Sequence, residues 1–369
     1  MSGSSVRAAV FEGPRRVQIR ELRRPVLETG DMLIEVDIAG IDGSDVHLVR
    51  GELSWVNDRA PLILGDELVG RVVEIGEDAR RVRGMDVGDR VTVEARWPCG
   101  GCRTCDAGQY YLCEDPARQA QWGYGTIPLS EPGELWGSYA THCFVPPAAT
   151  VHRVPQSLSD QAALVASSVL ANGIAWVNGA GVKDSDHLVV IGPGPQGLAC
   201  VLAAVERGAT VTLVGTMQDT ERLAMVRDPA VRALQISPGD PVDDIVQRVL
   251  EHGPVDVVID TAGVPAAKAL AMELVRPMGT IAHQAVASPA TQPIDWLTVL
   301  MKQITMTSIV SHPHAVPGAL DLAVALAARG IDVGTWVTHT FPLEEVADAI
   351  ATAGYETAER PVKTALTFP

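Results

Sequence analysis

The chain has 369 residues, 47% hydrophobic and 20% charged, which is apolar material enough for two or three ordinary domains. Its formal net charge of −16 argues against a nucleic-acid partner, because binding a phosphate backbone relies on lysine and arginine displacing counterions, and no basic stripe is present. The apolar run from Leu164 to Val177 is broken by Ser167, Ser168 and Asn172, and no apolar export signal follows the opening MSGSSVR, so the expectation is a cytoplasmic protein without a membrane partner.

Short strands separated by Gly, Pro and Asp are predicted first, among them Val6 to Phe11, Asp31 to Ile38 and Arg90 to Glu94, a β-rich pattern. Then comes CGGCRTCDAGQYYLC, in which Cys99, Cys102, Cys105 and Cys113 stand at C-x2-C-x2-C-x7-C spacing. Separations of this kind let a turning backbone aim successive thiolates at one tetrahedral zinc. Four ligands leave no open position, so such a site stiffens a loop and does no chemistry. The competing reading, disulfides or free thiols, lacks any sign of an oxidising compartment. Cys143 and Cys200 read as small core residues. Trp55, Trp97, Trp122 and Trp136 share this part of the chain; most are expected to pack, and one or two to line an apolar pocket under a Gly- and Pro-rich loop from Arg118 to Leu135.

From Leu158 onward apolar runs alternate with alanine-rich amphipathic stretches, the pattern of β-α-β units around a parallel sheet. Strands are predicted at Leu188 to Ile191, Val211 to Val214, Ala233 to Ile236, Val255 to Asp260, Gly279 to Ala285 and Ile304 to Ile309. Helices at Ala319 to Arg329 and Leu343 to Ala353 and a last strand follow. After the first of these strands stands GPGPQG: Gly192, Gly194 and Gly197, with Pro195 and Gln196, open a helix whose free amides can meet a pyrophosphate, which marks a dinucleotide site. The second strand ends at Gly215, where a carboxylate would hold an adenosine ribose. Without that carboxylate a ribose 2′-phosphate is not repelled, and Thr216, Gln218 and Arg222 can donate to one, so NADP is favoured over NAD. His312 and His314, spaced H-P-H, have no further ligand nearby and read as a loop.

The β-rich start, the cysteine lobe, the GPGPQG turn, DTAG at Asp260 to Gly263 and the closing FPLEEVADAI together resemble the medium-chain, zinc-type alcohol dehydrogenase superfamily over nearly the whole chain. The resemblance implies an α/β protein: a GroES-like β-rich catalytic domain from residues 1–157 and 305–369, and a Rossmann domain with a doubly wound parallel sheet at 158–304. It implies hydride exchange with a small-molecule substrate, cofactor contacts that include Thr261, and a homodimer or homotetramer paired through the Rossmann sheets.

The resemblance breaks at the catalytic zinc. The family's first ligand, a cysteine, aligns with Asp42 in GIDGSDVH; its histidine aligns with Asp66 in GDELVG; the third aligns with Ala166, which coordinates nothing. The remaining oxygens suit a hard cation better than zinc. Ser44 matches the hydroxyl that contacts the reacting oxygen, His47 the histidine that relays its proton, and Glu67 a glutamate behind the metal. Against these roles, Ser44 could cap a helix and His47 could be a surface residue. Crowded in low dielectric, Asp42, Asp66 and Glu67 cannot all ionise cheaply, so at least one should hold a proton and serve as general acid, unless they attract a cationic substrate or are vestigial. The expected function is therefore an NADP-dependent oxidoreductase (NAD being possible) that keeps a structural zinc, lacks a catalytic one, and acts on a reactive carbonyl, an iminium or an activated C=C bond. The alternatives are a non-catalytic nucleotide-binding homologue and a dehydrogenase using a hard metal ion on Asp42, Asp66 and Glu67.

Overall fold

A computed structural model describes residues 5–121, 123–237, 239–286 and 291–368. The chain divides into two compact units, Met1–Ser168 with Val316–Pro369, and Val169–Ala315. These breaks fall later than the 157/158 and 304/305 boundaries expected from sequence texture. The alanine-rich helix Asp160–Val165 reads like a crossover helix, yet it packs on strands Met32–Ile41 and Glu67–Ile75 of the first unit.

The first unit is built on a seven-stranded sheet whose long central strand, Met32–Ile41, alternates between two buried faces rich in Ile, Leu and Val. Glu67–Ile75 pairs with one edge of it, while the C-terminal strand Lys363–Thr367 and strand His142–Val145 pair with the other, all antiparallel. The two ends of the sequence therefore meet beside Gly40, which lies opposite Glu67 on one neighbour and Ala365 on the other. A smaller sheet joins Arg16–Leu22, Val6–Gly13 and Leu62–Ile63. The stretch expected to form a loop over a pocket instead contributes Tyr124, Ile127 and Leu135 to the core, because these large apolar side chains gain more by burial than a mobile loop could return.

The second unit carries six parallel strands in the order Val231–Ile236, Thr210–Thr216, His187–Ile191, Val255–Asp260, Val275–His283, Thr305–Thr307. Numbered along the chain this is 3-2-1-4-5-6, the doubly wound order, whose reversal lies between the first and fourth strands. The central strands His187–Ile191 and Val255–Asp260 are mostly apolar and buried, the pattern of a parallel sheet covered on both faces. The helix from Asp160 to Gly179 is long and apolar enough to cross a membrane by composition, but most of it is buried in the protein.

Candidate active site

Asp42 leaves the central strand and caps helix Gly43–Val49 in a reciprocal box: Asp45 N–H donates to Asp42 Oδ1 at 2.9 Å, and Asp42 N–H donates to Asp45 Oδ2 at 3.1 Å. The cap is thus Asp42 and not Ser44, whose exposed hydroxyl donates to the same Asp42 Oδ1 at 2.7 Å. His47, one turn along, has its Nδ1 2.5 Å from Glu52 Oε2. Beneath them Tyr139, fully buried, donates its hydroxyl to Asp45 Oδ2 at 2.6 Å. Glu67 opens its strand opposite Gly40, where a Cβ would stand 1.9 Å from Glu67 Oε2. Only glycine leaves that space, and it admits Lys363 Nζ to within 2.5 Å of the carboxylate. Lys363 and Glu67 are 3% and 8% exposed.

Four carboxylates thus converge with one lysine, and the low dielectric decides their protonation. Burial, then the charges of Asp42, Asp45 and Glu67, push Asp66 well above the ordinary carboxylate range, with Lys363 opposing. Asp45 is raised likewise by burial and by Asp42, against the Tyr139 hydrogen bond. Burial also lifts Glu67 despite its lysine. Burial acts to lower Lys363, but Glu67, Asp42 and Asp45 outweigh it, so the ammonium stays charged. A carboxyl that keeps its proton above the ordinary carboxylate range, and can give it up, is the chemical capacity of this cluster. As a metal site the donor set is poor: Asp42 Oδ1 is spent on two hydrogen bonds, Glu67 on Lys363, and Ala166 in the π-turn Ala166–Leu170 offers nothing. Among the described residues these carboxylates do not form a group of three ligand atoms around one point.

The cysteine lobe differs. The sulfurs of Cys99, Cys102, Cys105 and Cys113 all lie within 4.8 Å of one another, and the Cys99–Cys105 and Cys102–Cys113 separations are 3.9 Å. Ligands about 2.3 Å from a tetrahedral zinc are about 3.8 Å apart, so the four thiols fit that ion. The Thr104 hydroxyl and the Glu114 amide hold Cys102 down at about 5, while burial takes Cys105 up to about 12. Tyr110, inside the lobe, donates to buried Glu94, which also meets His152 Nε2 at 2.8 Å and ties the lobe to the sheet.

In the second unit Gly192 has φ +106°, and a Cβ on Gly197 would stand 1.9 Å from Gly192 O, so this turn is closed to larger residues. Helix Pro195–Glu206 begins there with Gly194 as its cap, which supplies no side-chain acceptor to the first amides. Thr261 donates to Ile191 O at 3.1 Å and Gly192 O at 2.8 Å, bracing the turn. Asp260 accepts from the amides of Ala262 and Gly263 and meets His283 Nδ1 at 2.9 Å. Three buried polar atoms here, Gln196 Oε1, His283 Nε2 and Gln284 Nε2, have no partner. A glycine cradle, bare helix amides and orphaned polar atoms at the carboxyl ends of parallel strands fit a dinucleotide.

Comparison with known proteins agrees with this geometry. Residues 28–156 match the alcohol dehydrogenase GroES-like domain, and residues 195–325 match the zinc-binding dehydrogenase family. A Mycobacterium tuberculosis protein named "Probable alcohol dehydrogenase adh" is 36% identical over 284 residues, covering 76% of this chain and 75% of its own. The chain belongs to the medium-chain, zinc-type alcohol dehydrogenase family. D-arabitol-phosphate dehydrogenase of Enterococcus avium is 28% identical over 95% of this dehydrogenase and 93% of its own length. Among solved structures, a Sinorhizobium meliloti 1021 protein described as a zinc-binding dehydrogenase, bound to NADP, is 26% identical with a TM-score of 0.82, covering 99% of this chain and 100% of that one. Alcohol dehydrogenase TADH from Thermus sp. ATN1 is 29% identical with a TM-score of 0.79, covering 98% of this chain and 99% of that one.

Several expected site residues of this dehydrogenase are already engaged. Thr216 accepts from Gln218 N and donates to Asp219, which also pairs with Arg222 at 3.2 Å, so Arg222 is held by a carboxylate beside the strand end. A Cβ on Gly215 would lie 2.7 Å from Pro193 Cγ. Trp97 and Trp136, 4% and 6% exposed, pack with Tyr124 and Phe144 in the core, as expected of most of the tryptophans. Trp122 lies outside the described residues. His312 is buried against Asn172 at 2.8 Å, and Cys143 and Cys200 are core residues. Sequence reading missed Asp45, Tyr139, Lys363 and Gln284. Asp45 alone left a signal, since an acid three residues after an N-cap closes a box.

Proposed function

We propose that this dehydrogenase exchanges hydride between NADP(H) and a reactive carbonyl, an iminium or an activated C=C bond, with protons handled by carboxyl groups and no catalytic zinc. The observation that carries the reading is the network of buried Asp45 and Glu67 and half-buried Asp42 and Asp66 around Lys363, standing where the family resemblance places the zinc ligands. NADPH, when bound, supplies the hydride. Asp66, kept protonated by burial and its acidic neighbours, gives its proton to the carbonyl oxygen or to the carbon adjacent to the one reduced, and an iminium needs none. Ser44 orients the reacting group from its hydrogen bond to Asp42, and His47 with Glu52 passes the replacement proton from solvent. Cys99, Cys102, Cys105 and Cys113 hold one structural zinc that stiffens their lobe.

The NADP preference rests on Gly215, which sets no carboxylate at the strand end itself; Thr216 and Arg222 serve as donors to a 2′-phosphate by exchanging their bonds to Asp219 for it. The sheet's outer strand, Thr305–Thr307, and the adjoining Trp296, Leu297, Leu300 and Met301, each at least 66% exposed, support a homodimer paired along this edge. Metal analysis alongside turnover on a panel of carbonyls, iminium ions and enones tests the proposal. One zinc per chain together with turnover is expected; a second zinc whose selective removal abolishes activity would overturn it.

A further inference from the structure

A cavity of about 930 Å³ opens in the second unit between helix Pro265–Leu274 and the parallel sheet. Ile281 and His283, two apart on strand Val275–His283, share the face of the sheet that forms its floor, with Met306 beside Ile281 on the neighbouring strand. Pro265, Met272 and Ile294 make its walls. Its lining is mostly apolar, and its size falls among small-molecule sites of about 300–1,000 Å³. The lining follows the helix from Pro265 to Glu273 and, among the described residues, takes in none of the glycine turn Gly192–Gly197, so the cavity is no part of the dinucleotide cradle.

The charged groups on this lining are already offset. Asp260 Oδ1 accepts the amides of Ala262 and Gly263, and Asp295 caps helix Trp296–Lys302 through the amides of Leu297 and Thr298. Lys268 Nζ donates to Gln292 Oε1 at 2.7 Å, and Glu273 stands beside Lys302, whose ammonium donates to the Glu273 carbonyl at 3.1 Å. His283 differs. Because the Asp260 carboxylate accepts, the 2.9 Å contact to its Oδ2 puts the imidazole hydrogen on Nδ1 and leaves Nε2 a bare acceptor. That nitrogen has no partner, while the side chain, 24% exposed, lines the cavity. A buried acceptor left unpaired costs on the order of 1–3 kcal/mol, which a donor seated against the ring would recover. We propose that the cavity binds a neutral, largely apolar molecule with one hydroxyl, a phenol or a hydrophobic alcohol, whose O–H donates to His283 Nε2 while its body lies along Met272, Ile281 and Met306. A carboxylate or phosphate head does not fit, since Nε2 has no hydrogen to give in this tautomer and the Asp260 carboxylate lies behind the ring. An ammonium head finds the nearby carboxylates already offset.

The probe is 2-naphthol, which is not oxidised by hydride transfer because its oxygen-bearing carbon has no hydrogen. Its methyl ether, 2-methoxynaphthalene, keeps the rings and the oxygen and lacks the donor. Both are titrated into the full-length protein by calorimetry, with and without excess NADPH. Wild type should prefer 2-naphthol by about tenfold, the value of one hydrogen bond of about 1.4 kcal/mol, and His283→Leu should remove that preference while the ether still binds. Ala269→Trp, on the exposed helix wall of the cavity, fills the space and should abolish both ligands. The proposal is overturned by a preference that survives His283→Leu, by binding that survives Ala269→Trp, by displacement of the probe with NADPH, or by wild-type protein that takes up no 2-naphthol. Should His283→Leu fail to fold, the wild-type preference and the Ala269→Trp result still decide.

Discussion

Asp66 shows how a residue's surroundings, more than its type, set its chemistry. Its carboxyl is raised in the folded protein by burial and by three acidic neighbours. The folded chain therefore holds a proton that the unfolded chain, titrating at about 3.9, gives up. Stability from this source is fully present below about pH 4 and is lost as pH rises through the elevated value. Asp66→Asn keeps the shape without the charge, so its gain in urea midpoint over wild type should grow from acid to alkaline pH; a constant difference would show that Asp66 ionises normally. The same variant should lower turnover by about 100-fold or more, the usual worth of a general acid, while NADPH affinity holds. In wild type the reductive rate should fall as pH rises through the Asp66 value, since only the protonated form donates. Lys363 poses the opposite case. Removing one member of a buried ion pair costs about 3–5 kcal/mol because the survivor is left charged in low dielectric. Lys363→Met should cause a loss of that size by chemical denaturation, and Lys363→Met with Glu67→Gln should recover most of it.

At the scale of elements, the strand-to-helix turns decide what a substitution can do. Placing a carboxylate at the end of the second Rossmann strand is the obvious route to NAD preference, yet a Cβ on Gly215 meets the Pro193 ring at 2.7 Å. Gly215→Asp alone should weaken both cofactors by displacing the glycine turn. Combined with Pro193→Ala, which removes the obstructing ring atoms, it should move the ratio of NADH to NADPH affinity toward NADH, as read by fluorescence titration. If the single variant already switches preference cleanly, the turn is softer than its packing implies. Of this element-scale picture, the cysteine spacing and the glycine turn were legible in sequence because each is local: ligands or amides within one short segment define the site. That most of the tryptophans would pack was expected; which of them the core takes was not legible, for the same reason. Trp97 and Trp136 carry no local mark that tells a core ring from a pocket wall.

For the whole molecule, helix Trp296–Lys302 exposes apolar side chains, and a cavity of about 930 Å³ lined by Met272, Ile294 and Met306 lies in the same unit. Such a surface is costly to leave in water at about 25 cal/mol per Å². Leu300→Asp with Met301→Asp should convert a dimer to monomer in light scattering while the far-ultraviolet circular dichroism stays unchanged. An unaltered mass would place the interface elsewhere.

Residue order alone determined the two-part architecture, the four-cysteine lobe and the glycine turn at the head of a helix, since all of these are written in short-range spacing and periodicity. Only the tertiary structure decided which groups share the acidic site. Lys363 and Glu67 come from opposite ends of the chain, and Tyr139 reaches Asp45 across the core, so no window of sequence contains either pair. They meet because an antiparallel register sets both strands beside Gly40 and leaves a space that only two long, oppositely charged side chains fill.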